Sequence, residues 1–185
     1  MSTPTTGTTT TGTTTTPPRP FRAREGDEDW TDDLLTRRTY AVLGTENPDG
    51  SVHMVPLMFA FDGERFLFET NAATRKVRNL EARPRARVLV QGIVDDMEAW
   101  VSAAGETEIV RGAEAQQLNR TVIERYTTEE GARGWTETMG PLDDVTVVLR
   151  PSRWWSWSLA ATVEVMVEPG YDLEEVAAWF HPLDH

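Results

Sequence analysis

Residues 66–91, FLFETNAATRKVRNLEARPRARVLVQ, hold the side chains best suited to chemistry. An extended run ends in Thr70-Asn71, and a helical pattern opens almost at once over 72–82. The first N–H groups of a helix lack intrahelical partners and carry the positive end of its dipole, so they attract phosphate. Arg75 and Lys76 stand near that start and add charge and further donors. Lys76 is the only lysine among 18 basic residues. In a chain that otherwise uses arginine, a lone lysine points to a place where a compact point charge is wanted. The competing reading is a solvated helix face, the ordinary fate of a charge run, and spacing alone favours it.

The charge of the whole chain sharpens this picture. The net charge is −12, but six acids fall in residues 25–33 and six more in 164–185, with no base in either stretch. The middle, 34–163, is near neutral, with 18 acids against 15 bases. Its positive charge is concentrated: Arg75, Lys76, Arg78, Arg83, Arg85 and Arg87 are opposed only by Glu81. An acidic protein lacks the phosphate contacts that dominate nucleic-acid affinity, so one local basic patch suits a small anionic ligand better. The chain has no cysteine, which excludes disulfides, thiolate nucleophiles and Cys-ligated zinc. No apolar run is long enough to span a bilayer and no signal peptide is evident, so a cytoplasmic protein with no membrane partner is expected.

The elements that must position the basic segment read as mainly β. Residues 1–25 are Thr- and Pro-rich and are expected to be a disordered tail. Thr31 is expected to cap a short helix. Strands are expected at 39–46, 51–61, 64–70, 85–92, 98–110, 143–150 and 152–167, with turns at Asn47–Gly50 and Asp62-Gly63. Pro56 inside the second strand implies a bulge or an unpaired edge. Helices are expected at 72–82 and 112–127, the latter with Leu118, Val122, Ile123 and Tyr126 on one face. Segment 128–142 reads as irregular, and 172–180 as a last helix within an acidic end, 169–185. Six or seven mostly antiparallel strands with a few helices argue a closed or split barrel spanning 26–168.

The basic segment resembles the phosphate-binding segment of the pyridoxamine 5′-phosphate oxidase-like flavoprotein superfamily. There a strand ends in Tyr-Thr-Asn or Phe-Thr-Asn, Ser-Arg-Lys opens a helix, and Asn-Pro or Asp-Pro precedes a hydrophobic strand. Here the matching residues are Phe68-Glu69-Thr70-Asn71, Thr74-Arg75-Lys76, Leu80, Arg83-Pro84 and Val88-Leu89-Val90. Asp49–Leu57 resembles the second strand of the superfamily, especially of its F420-dependent branch. Gly105 and the run Arg150–Trp157 resemble a later strand and the closing strand. Agreement of four ordered segments over roughly 34–158 is stronger evidence than any one of them.

The resemblance implies a split β-barrel that forms a homodimer, with a cofactor at the subunit seam. That cofactor would be FMN, with the deazaflavin F420 as the alternative and haem less favoured. Carried over, Arg75 and Lys76 hold its phosphate with Thr70 and Asn71. The main chain of Met54, Val55 and Pro56 lies along the ring, Gln91 is a further ring or phosphate contact, and Trp157 reaches the site from the other subunit. A redox enzyme acting on a small molecule follows, and no catalytic acid or base is named. A non-enzymatic flavin- or haem-binding protein is the rival. The Arg-Pro-x-x-Ser-type segment and closing Arg-x-His motif of a true pyridoxamine-phosphate oxidase are missing, so the vitamin B6 reaction is not implied. His53 reads as an ordinary partly buried side chain, and His181, His185 and Asp184 do not make a metal site.

Overall fold

The computed structural model describes residues 28–94, 97–139, 143–159 and 162. The expected tail 1–25 and the helix at 172–180 lie outside these residues. The element order is α1 (Glu28–Thr36), β1 (Ala41–Glu46), β2 (Val52–Leu57), β3 (Ala60–Phe61), β4 (Phe66–Asn71), α2 (Arg75–Ala82), β5 (Arg85–Val94), β6 (Met97–Val110), α3 (Gly112–Tyr126), α4 (Glu129–Met139) and β7 (Asp144–Ser158). All strand pairs are antiparallel, in the order β2-β1-β5-β6-β7-β4-β3. The seven strands curl as the wall of a split β-barrel, with β2 and β3 at its edges. Pro56 therefore sits on an edge strand, where its missing N–H does least harm.

Four expectations need correction. Residues 51–61 are not one strand: the chain leaves β2 at Leu57 and enters β3 at Ala60, at opposite edges of the sheet. Thr31 lies inside α1, not at its cap. Segment 128–142 holds helix α4, which survives its two glycines because Thr128 Oγ1 accepts from Gly131 N–H at 3.1 Å and bonds its first turn. The two closing strands are one strand, β7, interrupted only by a bulge.

That bulge decides which aromatic faces which way. Gly105 lies opposite Pro151 and Ala104 opposite Arg153, so Ser152 is an extra residue. One inserted residue reverses the alternation of side chains beyond it. Before it, Val147 and Leu149 point into the barrel. After it, Trp154 points inward, with its ring 5.7 Å from those of Phe61 and Phe66, while Trp155 is on the outer face. The crossing is so close that a Cβ on Gly105 would stand 1.9 Å from the Arg150 carbonyl oxygen, which explains the glycine.

Inside the barrel, Phe59, Phe66, Phe68, Leu43, Val88 and Leu149 are fully buried, and Leu34 and Leu35 of α1 join the same core. Tyr126 at the end of α3 fixes that arrangement. Its hydroxyl donates to the Thr39 carbonyl (2.5 Å) and accepts from Phe59 N–H (3.2 Å). Arg125 Nη2 donates to the Leu35 carbonyl at 2.8 Å, just before α1 ends. On the outer face, α3 covers Leu67 and Val148 with Ala115 and Val122.

Candidate functional site

Helix α2 is short and is pinned from below. Val77 and Leu80 are buried, and Asn79 beneath the helix donates from Nδ2 to Thr45 Oγ1 (3.1 Å) and to Asn47 Oδ1 (3.0 Å). These bonds tie α2 to β1 and to the turn that follows it. Asn79 drew no attention in the sequence, although a polar residue three after Lys76 on the buried face was a readable signal. The turn leading into α2 is closed by Asn71, whose Oδ1 accepts from Ala73 N–H at 2.9 Å. Thr74, in the capping position with extended backbone, makes no side-chain cap. Its hydroxyl turns back to the Asn71 carbonyl at 2.8 Å. The first-turn N–H groups of α2 therefore have no side-chain acceptor from their own cap, which is the state an incoming anion requires.

Lys76 is 7 % exposed and Thr70 6 % exposed, both at this strand-to-helix junction. Burial pushes the lysine ammonium below the usual lysine value, and the charge of Glu69 offsets part of that. Glu69, half-buried on β4, is pushed up from the ordinary carboxylate value by burial and next by the charge of Asp144, with Lys76 pulling the other way. No ion pair closes on Lys76 among the described residues. Arg75 is exposed, and its charge reaches Asp49 in the β1–β2 turn, a carboxylate held low chiefly by its bond from Ser51. The two neighbours thus serve different surroundings: Lys76 lies with β4, and Arg75 with the β1–β2 turn.

The other sequence-derived residues gather on the outer sheet face. Registration across the strands builds rows of side chains: Met54–Gly44–Arg87–Ala104–Arg153, then Pro56–Val42–Leu89–Ser102–Trp155, then Gln91–Trp100–Trp157. Over these rows lies an open cleft of about 790 Å³, whose walls include Val42, Val52, Met54, Leu89, Gln91, Trp100 and Trp155. Val52 is 66 % and Met54 62 % exposed, so apolar surface faces outward here. Val55 lies on the other face of β2, opposite the buried Leu43. Met54 and Gln91 therefore share the cleft, Pro56 and Trp157 flank it by register, and Thr70, Asn71, Arg75 and Lys76 form the separate helix-start cluster. Trp100 is a cleft residue that sequence reasoning did not single out; Arg87 was read only within the basic run and Trp155 only within the closing strand. The period-two run Arg85, Arg87, Leu89, Gln91 was the available signal.

A family model described as pyridoxamine 5′-phosphate oxidase matches residues 28–158, which span α1 through β7 and contain both the helix start and the cleft. The chain belongs to the pyridoxamine 5′-phosphate oxidase family. Among solved structures, it is 32 % identical to a conserved hypothetical protein, Rv2991, from Mycobacterium tuberculosis, over 70 % of this chain and 83 % of that one, with a TM-score of 0.60. It is 30 % identical to a protein described as F420 reductase, over 67 % of this chain and 94 % of that one, with a TM-score of 0.50. The heme storage protein HutZ from Vibrio cholerae shares the fold at 16 % identity and a TM-score of 0.53, over 70 % of this chain and 92 % of that one. No functionally curated protein matches the chain. Within this family member, no group of three or more potential metal ligands occurs among the described residues, and no described helix is long and apolar enough to cross a membrane.

Proposed function

We propose that this protein is an oxidoreductase that holds a phosphate-bearing deazaflavin, F420, in preference to FMN, and passes a hydride between it and a small molecule. The carrying observation is the start of α2: an uncapped helix end with a nearly buried lysine that closes no ion pair among the described residues. Those residues fit a phosphate. Lys76 supplies a compact charge, Thr70 and the α2 N–H groups supply donors, and Asn71 shapes the turn. Arg75, exposed on the side of the β1–β2 turn, adds positive charge to the same helix start from farther off. The apolar cleft, with the edge-strand main chain at Met54–Pro56 and the Gln91 amide, fits a planar ring system. Bound there, the cofactor supplies the hydride chemistry; the protein supplies orientation, local charge and exclusion of water.

The choice of F420 rests on Glu69 and on the likeness to an F420 reductase. A phosphomonoester such as that of FMN carries a charge of about −1.5 to −2 at neutral pH. The phosphodiester of F420 carries a single charge. Glu69 interacts with Lys76, so a singly charged phosphodiester group meets less repulsion there than a doubly charged phosphomonoester. Trp157 and the cleft face are assigned to the seam of a homodimer.

Equilibrium titration of the full chain with F420, FMN and riboflavin tests this reading. F420 is expected to bind most tightly and riboflavin, which lacks phosphate, least. Lys76→Ala should weaken F420 by about tenfold to a hundredfold, the range of one charge-assisted hydrogen bond. Glu69→Gln should tighten FMN more than F420. Equal binding of riboflavin and F420, or an unaltered Lys76→Ala variant, would overturn the phosphate assignment. Turnover with a reduced cofactor then separates an enzyme from a carrier.

A further inference from the structure

The cleft has a cationic end that the phosphate cluster at α2 does not use. Arg87 lies on the cleft wall with its guanidinium carbon 4.3 Å from the centre of the Trp155 ring. A guanidinium held over an indole loses rotamer freedom while keeping donors for a planar, two-pronged acceptor. Two strands away in the same row stands Arg153, with Ala104 between them. Adjacent strands lie about 4.7–4.9 Å apart, so the two arginine Cα atoms are roughly 9–10 Å apart over a floor no larger than a methyl group. Neither arginine makes an ion pair among the described residues. The carboxylates nearby on this face are otherwise placed. Glu46 pairs with Arg83 at 3.1 Å, and Glu106 lies opposite Arg85.

We propose that the small molecule reduced or oxidised by this protein has a flat apolar body and one anionic group, a carboxylate or a phosphate. Arg87, braced by Trp155, receives that group over Ala104, and Arg153 closes on it from the other side. The body lies toward Leu89 and Trp100. The inference deepens the oxidoreductase reading and rests on it for calling the occupant a substrate.

The test uses the full chain with its cofactor left in place and three probes of one shape: 2-naphthoate, 2-naphthyl phosphate and 2-naphthol. Calorimetry should show the two anions binding about tenfold to a hundredfold more tightly than the neutral alcohol, and the better of the two distinguishes carboxylate from phosphate substrates. Arg87→Gln should bring both anions to the level of 2-naphthol. Arg87→Lys, which keeps the charge but loses the fork, should fall between. Melting of Arg87→Gln should match the parent, because the side chain is exposed. Equal binding of all three probes, or anion binding unchanged in Arg87→Gln, would overturn the proposal. The two readings separate cleanly. Cofactor binding with no Arg87-dependent anion preference removes this inference alone. Anion preference in a chain that binds neither F420 nor FMN leaves the anion site and removes the redox assignment.

Discussion

The outer face of the sheet has two halves built from the same kinds of residue and treated in opposite ways. Leu67, Val110 and Val148 are buried because α3 lies across them with Ala115 and Val122. Val42, Val52, Met54, Leu89, Trp100 and Trp155 line an open cleft instead. At roughly 25 cal/mol per Å², leaving such side chains in water forgoes a large stabilisation. Among the described residues, a helix covers one half of this face only. The difference teaches that the same kinds of residue need not be covered by the same chain, and the open half is where the flavin-type ring and second copy proposed above would lie.

The largest expected effect breaks the covered half. Leu67→Ala removes a side chain that is 2 % exposed and should cost about 2–5 kcal/mol in urea unfolding, independent of protein concentration. Leu89→Ala, on the open half, should show a cost that shrinks on dilution. If both behave alike, the contrast between the halves is void.

Next comes the crossing that separates interior from exterior aromatics. Gly105→Ala would force β7 away from β6, at about 1–3 kcal/mol for overpacking. It should also disturb the cleft, because Trp155 and Trp157 follow the bulge. Urea unfolding combined with cofactor titration checks both consequences.

Tyr126→Phe is smaller, about 0.5–1.5 kcal/mol for the hydrogen bonds lost. Burial pushes the phenol above its ordinary 10.0, so the folded state holds the proton more tightly than the unfolded chain. The stability this confers is complete below pH 10.0 and is lost as pH rises through the folded-state value. Wild type should therefore lose more stability than Tyr126→Phe in alkaline melts, and parallel curves would remove the assignment.

The smallest effect on folding is expected on the open half. Met54→Ser, at a site 62 % exposed, should leave a dilute chain within about 0.5 kcal/mol of its parent. Sedimentation should nevertheless show weaker self-association, and Trp157→Ala should weaken both association and cofactor retention. Trp30→Ala, which removes packing at the core edge, should cost stability and leave the cofactor alone.

Much of the architecture was legible because its signals are local. The Asn47–Gly50 and Asp62-Gly63 turns, the edge position of Pro56, and the helix at 112–127 each follow from a few neighbouring residues, and Gly50 takes the positive φ of 83° that its turn demands. Helix α4 was missed because its two glycines masked a short run with few apolar residues, although Ala132, Trp135 and Met139 fall at helical spacing. The closing strand read as two because Pro151 looks like a break, whereas pairing to β6 carries the strand through it.

The sequence by itself determined a mainly β chain with a basic strand-to-helix junction, and a lone lysine in it, since residue type and short-range spacing are enough for that. Only the tertiary structure decided that Arg75 and Lys76 part company, that Asn79 pins α2, and that Arg87 rests on Trp155. Those facts depend on register between strands distant in the chain. A single extra residue at Ser152 reverses which tryptophans look inward, and no local pattern announces where long-range pairing will place such a bulge.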